Sequence, residues 1–200
     1  MKIVVGLGNP GREYEGTRHN VGFDVLREIS RRWNGSSPKK RFQAELVEVA
    51  CDSEKLLLVA PLTYMNLSGQ SVSQVLNFYH VPLDDVLVVC DDMNLPTGKL
   101  RMRGQGSSGG QKGLKNIIDS QSSEAVPRLR LGIGRPHGRG DSVSHVLSRF
   151  RPEELETYQL SVQLAADGVE IWAKEGLAAA MNRINGVDPD DGSGKSSKMA

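Results

Sequence analysis

The chain lacks the features that mark disulfide-rich, zinc-binding or membrane-spanning proteins. Its 200 residues include only two cysteines, Cys51 and Cys90, and these do not form the CxxC pair of a zinc ribbon. No apolar run approaches the roughly 20 residues that span a bilayer. The first apolar run is interrupted at Gly6, Gly8 and Pro10, so a signal peptide is not expected. These absences favour a cytoplasmic protein without a membrane partner.

Aromatic residues are also scarce, at 5% of the chain, and none occurs between residues 80 and 149. This absence argues against a base-stacking platform of the RNA-recognition-motif kind. The four histidines, His19, His80, His137 and His145, have no metal-ligand spacing. We therefore expect no metal and no other cofactor.

The small net charge of +1 hides an uneven distribution of charge along the chain. Residues 97–151 contain eleven Lys and Arg against three acidic residues, so this segment carries +8 and the remainder −7. Ten of the 22 glycines lie in the same segment. A basic, glycine-rich segment indicates a surface for phosphate or nucleic acid. On charge alone, a solvated basic face explains the segment equally well.

Hydrophobic periodicity predicts strands that alternate with helices. Strands are predicted at residues 2–5, 42–49, 55–60, 86–90, 99–103 and 128–133. Helices are predicted at residues 20–33, 68–79, 111–120 and 153–174. Asn20 and Ser68 are the expected N-caps of the first two helices. The alternation indicates a single α/β domain over residues 1–185, and the polar segment 186–200 is expected to be a disordered tail.

Two familiar catalytic or nucleotide-binding motifs are excluded by their context. Gly6, Gly8 and Gly11 match the G-x-G-x-x-G fingerprint of dinucleotide-binding loops directly after a strand. Pro10 removes an N–H group that a phosphate would need, however, and no helical pattern follows at once. Gly106, Ser108 and Gly110 fit the spacing of G-x-S-x-G, but they lie in a flexible glycine- and serine-rich loop rather than in the sharp turn of a serine nucleophile. Neither a nucleotide-dependent oxidoreductase nor a serine hydrolase is expected.

Polar side chains collect after the predicted strands, where open α/β sheets place their sites. These residues are Asn9, Tyr14, Arg18, His19, Asn20, Tyr64, Asn66 and Asp91. His19 and Asp91 follow different strands and can form a pair in which the carboxylate orients the imidazole. Without a placed serine or cysteine, such a base would activate water. Each residue, taken singly, also has an ordinary role in a turn or a cap.

Several longer motifs together resemble those of one family. VVGLGNPGREYEGTRHNVGF, PLTYMNLSGQSV, DDMNLPTGKLRMR, GSSGGQKGLKNI and RLRLGIGRP occur in the order found in bacterial-type peptidyl-tRNA hydrolases. The resemblance covers about residues 2–185. It implies an esterase that cleaves the bond between a peptide's C-terminus and the 3′-terminal ribose of tRNA, recycling prematurely released peptidyl-tRNA. It also implies a monomer with no DNA partner, and a three-layer fold with a central mixed, mostly parallel sheet flanked by helices.

The resemblance further implies roles for individual residues. His19 is the implied general base and Asp91 supports it, while Asn9 binds near the peptide end. Asn66 is implied to position the substrate backbone or the attacking water. The residues implied to line the site for the 3′ end are Tyr14 and Tyr64, and those implied to grip tRNA phosphates are Arg101, Arg103, Arg130 and Arg139.

One motif departs from the pattern of the family. Gln111 and Lys112 stand where many relatives carry His-Asn. We hypothesise that Lys112 offers a charge to the 3′ end or its phosphates, the alternative being an ammonium group that points to solvent. For the whole chain, the main alternative is a non-catalytic RNA-binding relative of the intron-splicing-factor type. The retained residues Asn9, His19, Asn66 and Asp91 favour the enzyme.

Overall fold

Seven strands and six helices are present in the part of the chain that the computed structural model describes, residues 1–52, 54–136 and 141–187. The strands are β1 (Lys2–Gly6), β2 (Lys39–Arg41), β3 (Ala44–Cys51), β4 (Glu54–Pro61), β5 (Val86–Asp92), β6 (Leu100–Arg103) and β7 (Arg128–Gly132). The helices are α1 (Val21–Arg32), α2 (Ser68–Tyr79), α3 (Lys112–Gln121), α4 (Ser142–Val146), α5 (Leu155–Glu175) and α6 (Leu177–Ile184). The predicted tail lies outside the described residues except for 186 and 187.

The strands form one mixed sheet in the order β2-β3-β4-β1-β5-β7-β6. The central strands β4, β1, β5 and β7 pair in parallel, whereas β3 and β6 run antiparallel to their neighbours. Five of the seven strands therefore point the same way. The carboxyl ends of β1, β4 and β5 meet at one edge, and β1 lies between the other two, as at the switch point of an open α/β sheet.

Alternate side chains of the central strands enter two separate cores, one on each face of the sheet. Val4 of β1 packs in the core covered by α1, α5 and α6, and its neighbours Ile3 and Val5 pack in the core covered by α2 and α3. Both faces are thus buried, which explains why the central strands are almost continuously apolar. The predicted α/β domain with three layers is confirmed. None of the described helices is long and apolar enough to cross a membrane.

A glycine at the start of α1 lets this helix approach the sheet closely. A Cβ atom on Gly22 would lie 2.3 Å from the backbone nitrogen of Leu7 and 2.6 Å from the carbonyl oxygen of Val89. Only a residue without a side chain fits this contact. The short 3-10 turn before α1 carries His19. The close approach of α1 to the sheet holds this turn against the ends of β1 and β5.

The predicted elements are present, but some of their boundaries and caps differ. The hairpin strand predicted at 42–49 begins at Ala44, because Phe42 and Gln43 both adopt positive φ in the turn after β2. Short elements β2, α4 and α6 were not predicted. The two predicted side-chain caps are wrong: Asn20 bonds to the backbone of Asn9, and the Ser68 hydroxyl donates to the Met65 carbonyl.

Candidate active site

A cleft of about 490 Å³ opens where the chain leaves β1, β4 and β5. Its polar lining consists of Asn9, His19, Tyr64, Asn66, Asp91, Asp92, Gln111, Lys112 and Ser142. Its apolar lining consists of Met65, Met93, Val143, Val146 and Leu147. The parallel central strands bring these residues together from distant parts of the chain. The volume and the mixed lining suit a small organic group held by a few placed polar contacts.

A histidine and an aspartate form a buried pair in the cleft. The Nδ1 atom of His19 lies 2.9 Å from both carboxylate oxygens of Asp91. An ionised carboxylate only accepts hydrogen bonds, so Nδ1 carries the proton and donates it to Asp91. The Nε2 atom then presents a lone pair, and it has no hydrogen-bond partner among the described residues. This is the arrangement of an imidazole that can accept a proton from water.

The side chain of Asn9 is held so that its amide nitrogen is available. Its Oδ1 atom accepts a hydrogen bond of 2.8 Å from the backbone N–H of Met65. Asn20 holds the backbone of Asn9 from both sides, with bonds of 2.9 Å to its N–H and to its carbonyl oxygen. With Oδ1 occupied, the Nδ2 group of Asn9 is a donor without a partner in the described part of the chain. It can therefore donate to a carbonyl oxygen in the cleft.

Helix α4 forms one wall of the cleft, and hydrogen bonds to other parts of the chain hold the helix and the segment after it in place. His145 Nε2 lies 2.9 Å from the carbonyl oxygen of Gly134, beyond the end of β7. The backbone N–H of Arg18 donates to the carbonyl oxygen of Ser148, and Thr17 bridges to Arg149. The segment after α4 is thus bonded to the turn that carries His19. Val143 and Leu147 present apolar surface to the cleft from this wall.

A second cavity of about 340 Å³ is lined by four arginines among other residues, and it shares Asp92 with the cleft. Arg101 lies opposite Arg130 and Arg103 opposite Arg128 in the antiparallel pairing of β6 with β7. Like charges placed directly opposite each other repel, so this cavity favours an anion. Burial, followed by the charge of Arg130, lowers the pKa of Arg128. Arg128 is buried, whereas Arg101 and Arg103 are exposed and form a basic surface beside the cleft.

Comparisons with known proteins agree with this geometry. The family model for peptidyl-tRNA hydrolase matches residues 3–192. The chain is 47% identical over 185 residues to the peptidyl-tRNA hydrolase of Rhodopirellula baltica, which covers 92% of this chain and 97% of that protein. It is 50% identical over 189 residues to the one of a Synechococcus species, covering 94% and 84%. The crystal structure of peptidyl-tRNA hydrolase from Acinetobacter baumannii matches with a TM-score of 0.89 at 31% identity, covering 94% and 96%.

The chain belongs to the peptidyl-tRNA hydrolase family. The resemblance stated from the sequence motifs is therefore confirmed. Within this family member, the cleft brings together all four residues expected at the catalytic centre, Asn9, His19, Asn66 and Asp91. It also brings in Tyr64, which is 60% exposed, and Lys112.

The remaining predicted substrate contacts that the structure describes lie outside the cleft. Tyr14 is half-buried in the 3-10 turn that follows β1, and it does not line the cleft. Arg101 and Arg103 are exposed on one side of β6, in the second cavity. Arg130 lies in that cavity too but already bonds Asp92 Oδ2 at 3.1 Å and the Ser107 carbonyl at 2.7 Å. Arg139 lies outside the described residues.

The roles of two residues in the site were not predicted from the sequence, although Asn20 was among the polar residues expected there. Asn20 holds the backbone of Asn9 rather than capping α1, and Gln111 donates to Oδ1 of Asp91, the carboxylate that supports His19. Gln111 was singled out only as a departure from the motif of the family. A glutamine at the first position of the predicted helix 111–120 was the available signal for a side chain that faces the helix end. Its contact with Asp91 is non-local and left no sequence signal.

A buried ion pair holds the turn that carries His19, and it leads to a prediction about stability. Arg18 Nη2 lies 2.6 Å from Glu154 Oε2, with both side chains largely buried. Burial of the Glu154 carboxyl opposes ionisation, but hydrogen bonds from Arg18 and from the Arg151 backbone lower its pKa to about 2. We expect Glu154→Gln to reduce the free energy of unfolding at pH 7 by about 3 kcal/mol, because it leaves a buried guanidinium unpaired.

The pH dependence of stability checks this prediction. A carboxyl with a lowered pKa stabilises the fold above its unfolded-state value of about 4.5, and this contribution disappears as the pH falls toward 2. Urea unfolding at pH 7 and at pH 3 should show the difference between Glu154→Gln and wild type shrinking in acid. The matched control is Glu153→Gln, whose exposed pair with Arg151 is expected to contribute less than about 1 kcal/mol. Equal losses for the two variants would contradict the prediction.

Proposed function

We propose that the protein hydrolyses the ester of peptidyl-tRNA with a water molecule activated by His19. The observation that carries the proposal is the bond from His19 Nδ1 to the two Asp91 oxygens, which leaves the Nε2 lone pair for a substrate water. Peptidyl-tRNA is the substrate named by the family to which the chain belongs. Among the described residues, the cleft is lined by one serine, Ser142 on α4, and by no cysteine. Water is the nucleophile that this arrangement favours.

The proposed reaction proceeds by addition and elimination at the ester carbonyl. His19 Nε2 removes a proton from water while the water oxygen forms a bond to the carbonyl carbon. The resulting tetrahedral intermediate collapses, and the bond to the ribose oxygen of the terminal nucleotide breaks. The proton on Nε2 then passes to that ribose oxygen, which restores neutral His19 and releases the peptide and the tRNA. Asp91 stabilises the imidazolium formed between the two proton transfers.

The neighbouring amides are proposed to position the peptide end of the substrate. Asn9 can only donate from its amide nitrogen, because its oxygen is held by Met65. A donor at this place fits a peptide carbonyl oxygen and helps to distinguish a blocked from a free aminoacyl group. Asn66 is exposed in the cleft and is proposed to hold the substrate backbone or the attacking water, while Tyr64 lines the place of the 3′ end.

The basic surface beside the cleft is proposed to bind tRNA phosphates. Phosphate contacts supply affinity without reading bases, which suits an enzyme that accepts many tRNAs. The shared Asp92 connects this surface to the cleft, so a strand bound there can reach His19. Lys112 has no ion-pair partner among the described residues, and we assign its ammonium to the 3′ end or its phosphates.

The experiment that tests the proposed function is release of an N-blocked amino acid from its tRNA. Wild type and His19→Ala are compared in this assay, together with binding of deacylated tRNA. A non-catalytic RNA-binding protein would bind the tRNA without releasing the amino acid in either form. Hydrolysis by wild type that is lost in His19→Ala supports the proposal, whereas binding without hydrolysis by wild type contradicts it.

Removing the two exposed arginines of β6 is expected to weaken substrate binding rather than chemistry. For Arg101→Ala combined with Arg103→Ala, we expect KM to rise about tenfold at low salt while kcat changes little. The slope of log KM against the logarithm of salt concentration should decrease by about 1 to 2, because fewer counterions are displaced from the phosphates. Steady-state kinetics over a salt series measures both effects.

A charge-matched control separates a local contact from the loss of net charge. Arg27→Ala combined with Arg31→Ala removes the same charge from exposed positions on α1 and should leave the salt slope unchanged. Lys112→Asn in the same series tests the cleft lysine by itself. If the β6 variant keeps the wild-type salt slope, the basic surface does not bind the tRNA phosphates.

A further inference from the structure

Gln111 contacts Asp91 of the His19–Asp91 pair, and it is 8% exposed. Its Nε2 atom is 3.0 Å from Asp91 Oδ1 and 3.2 Å from the sulfur of Met65. Its Oε1 atom accepts a hydrogen bond of 2.7 Å from the backbone N–H of Leu114, in the first turn of α3. One amide therefore joins the start of a helix to the carboxylate that supports His19.

The orientation of the Gln111 amide follows from its partners. The backbone N–H of Leu114 can only donate, so it requires the amide oxygen at its end. The amide nitrogen must then face Asp91, and it donates to Oδ1. The Asp91 carboxylate thus accepts from two donors, Gln111 Nε2 and His19 Nδ1. An amide does not titrate, so this donor is present at every pH at which the enzyme works.

We infer that Gln111 is a positioning residue for the hydrolysis, acting through Asp91. The inference rests on the proposed function, because it assigns Gln111 to the same reaction. Its N–H group fixes the carboxylate so that both oxygens face His19 Nδ1, which directs the Nε2 lone pair toward the substrate water. Lys112, the next residue, lines the cleft. The two residues that depart from the family motif therefore have separate roles: Gln111 contacts Asp91, and Lys112 faces the substrate.

The competing explanation is that Gln111 serves only as the N-cap of α3. Gln111→Glu separates the two roles, because it is nearly isosteric. A glutamate oxygen still accepts from the Leu114 N–H, and a negative charge at a helix N-terminus is favourable. An ionised glutamate cannot donate to Asp91, and it places a second carboxylate beside the first. The helix cap is therefore kept while the proposed positioning contact is removed.

We expect Gln111→Glu to lower kcat by about 10- to 100-fold, the effect of losing one hydrogen bond to a charged group. KM should stay within about threefold of wild type, because Gln111 acts on the base rather than on the substrate. The added negative charge favours protonated His19, so the acidic limb of the pH–rate profile should move to higher pH. The other titratable or charged groups lining the cleft are Tyr64, Lys112 and Asp92, which pairs with Arg130.

The control is Gln70→Glu, the same chemical change at an exposed position on α2, which should leave kcat and the pH profile unchanged. Wild-type kcat and pH profile in Gln111→Glu would overturn the inference and leave Gln111 as a helix cap. If Gln111→Glu does not fold, Gln111→Met is measured instead, and a wild-type kcat there overturns the inference as well. A wild-type enzyme without hydrolytic activity would contradict the proposed function itself, so the two failures are distinguishable.

Discussion

Replacing His19 by alanine is expected to lower kcat for release of an N-blocked amino acid from tRNA by about 10²- to 10⁴-fold. The change removes the Nε2 lone pair that accepts the water proton, while the amides and the basic surface that bind substrate remain. KM and the affinity for deacylated tRNA should therefore stay within about threefold of wild type. Steady-state kinetics and equilibrium binding of deacylated tRNA measure the two quantities separately.

A second histidine provides the matched control for this experiment. His80 ends α2 in the left-handed conformation and lies on the surface, away from the cleft. Asparagine tolerates that conformation, so His80→Asn should fold normally and keep the wild-type rate. An unchanged kcat in His19→Ala would exclude His19 as the base. A loss of tRNA affinity as large as the loss of rate would instead indicate that the variant has lost the shape of the cleft.

The main elements of the fold were predictable because each buries a face that repeats locally in the sequence. The strand at residues 86–90 and the helix at 20–33 have patterns that fit a strand with two covered faces and a helix with one. Strand β2 consists of three exposed charged residues, Lys39–Arg41, and α4 of five residues without a buried one. Neither has a periodic apolar face, so pairing and anchoring by distant residues create them.

The candidate site was predictable to the extent that topology alone brings residues together. His19 comes after β1, and Asp91 lies near the carboxyl end of β5, the parallel neighbour of β1, so their proximity follows from the fold. The direction of each hydrogen bond was not predictable, because it depends on non-local backbone groups. Asn20 matches a common N-cap residue, yet its amide is taken by Asn9.

The charge segment 97–151 illustrates a second limit of sequence analysis. Its surplus of positive charge correctly indicated a basic surface, and Arg101 and Arg103 lie there on one side of β6. Arg128 and Arg130, in the same segment, each donate from both terminal guanidinium nitrogens to neighbouring groups of the protein, which are Gly106 and Glu124 for Arg128 and Asp92 and Ser107 for Arg130. A count of charges cannot separate arginines that hold a loop from arginines that face solvent. The structure separates the two groups. Arg101 and Arg103 lie on the exposed side of β6, whereas Arg128 and Arg130 on the paired strand β7 hold the neighbouring loop.

Asp91→Asn is expected to lower kcat by about 10²- to 10⁴-fold, as far as loss of the base itself, through the tautomer of His19. The Gln111 nitrogen can only donate, because the Gln111 oxygen is held by Leu114. It therefore draws the oxygen of the new amide to the position of Oδ1. The new NH₂ group then occupies the position of Oδ2, 2.9 Å from His19 Nδ1. The amide oxygen at the Oδ1 position also lies 2.9 Å from Nδ1, but an Nδ1–H group would face the hydrogens of the new NH₂ group. The tautomer with the ring proton on Nε2 is therefore favoured, and in that tautomer Nε2 cannot take a proton from water.

Asp91→Ala distinguishes this tautomer argument from simple loss of a charge. Alanine removes the carboxylate but donates nothing to Nδ1, so the active tautomer remains accessible and kcat should be at least as high as in Asp91→Asn. Nitrogen NMR of the imidazole should show Nε2 protonated in Asp91→Asn and Nδ1 protonated in wild type. If Asp91→Asn is more active than Asp91→Ala, the tautomer argument is wrong. Asp91 would then act by filling space and by its polarity, both of which asparagine retains.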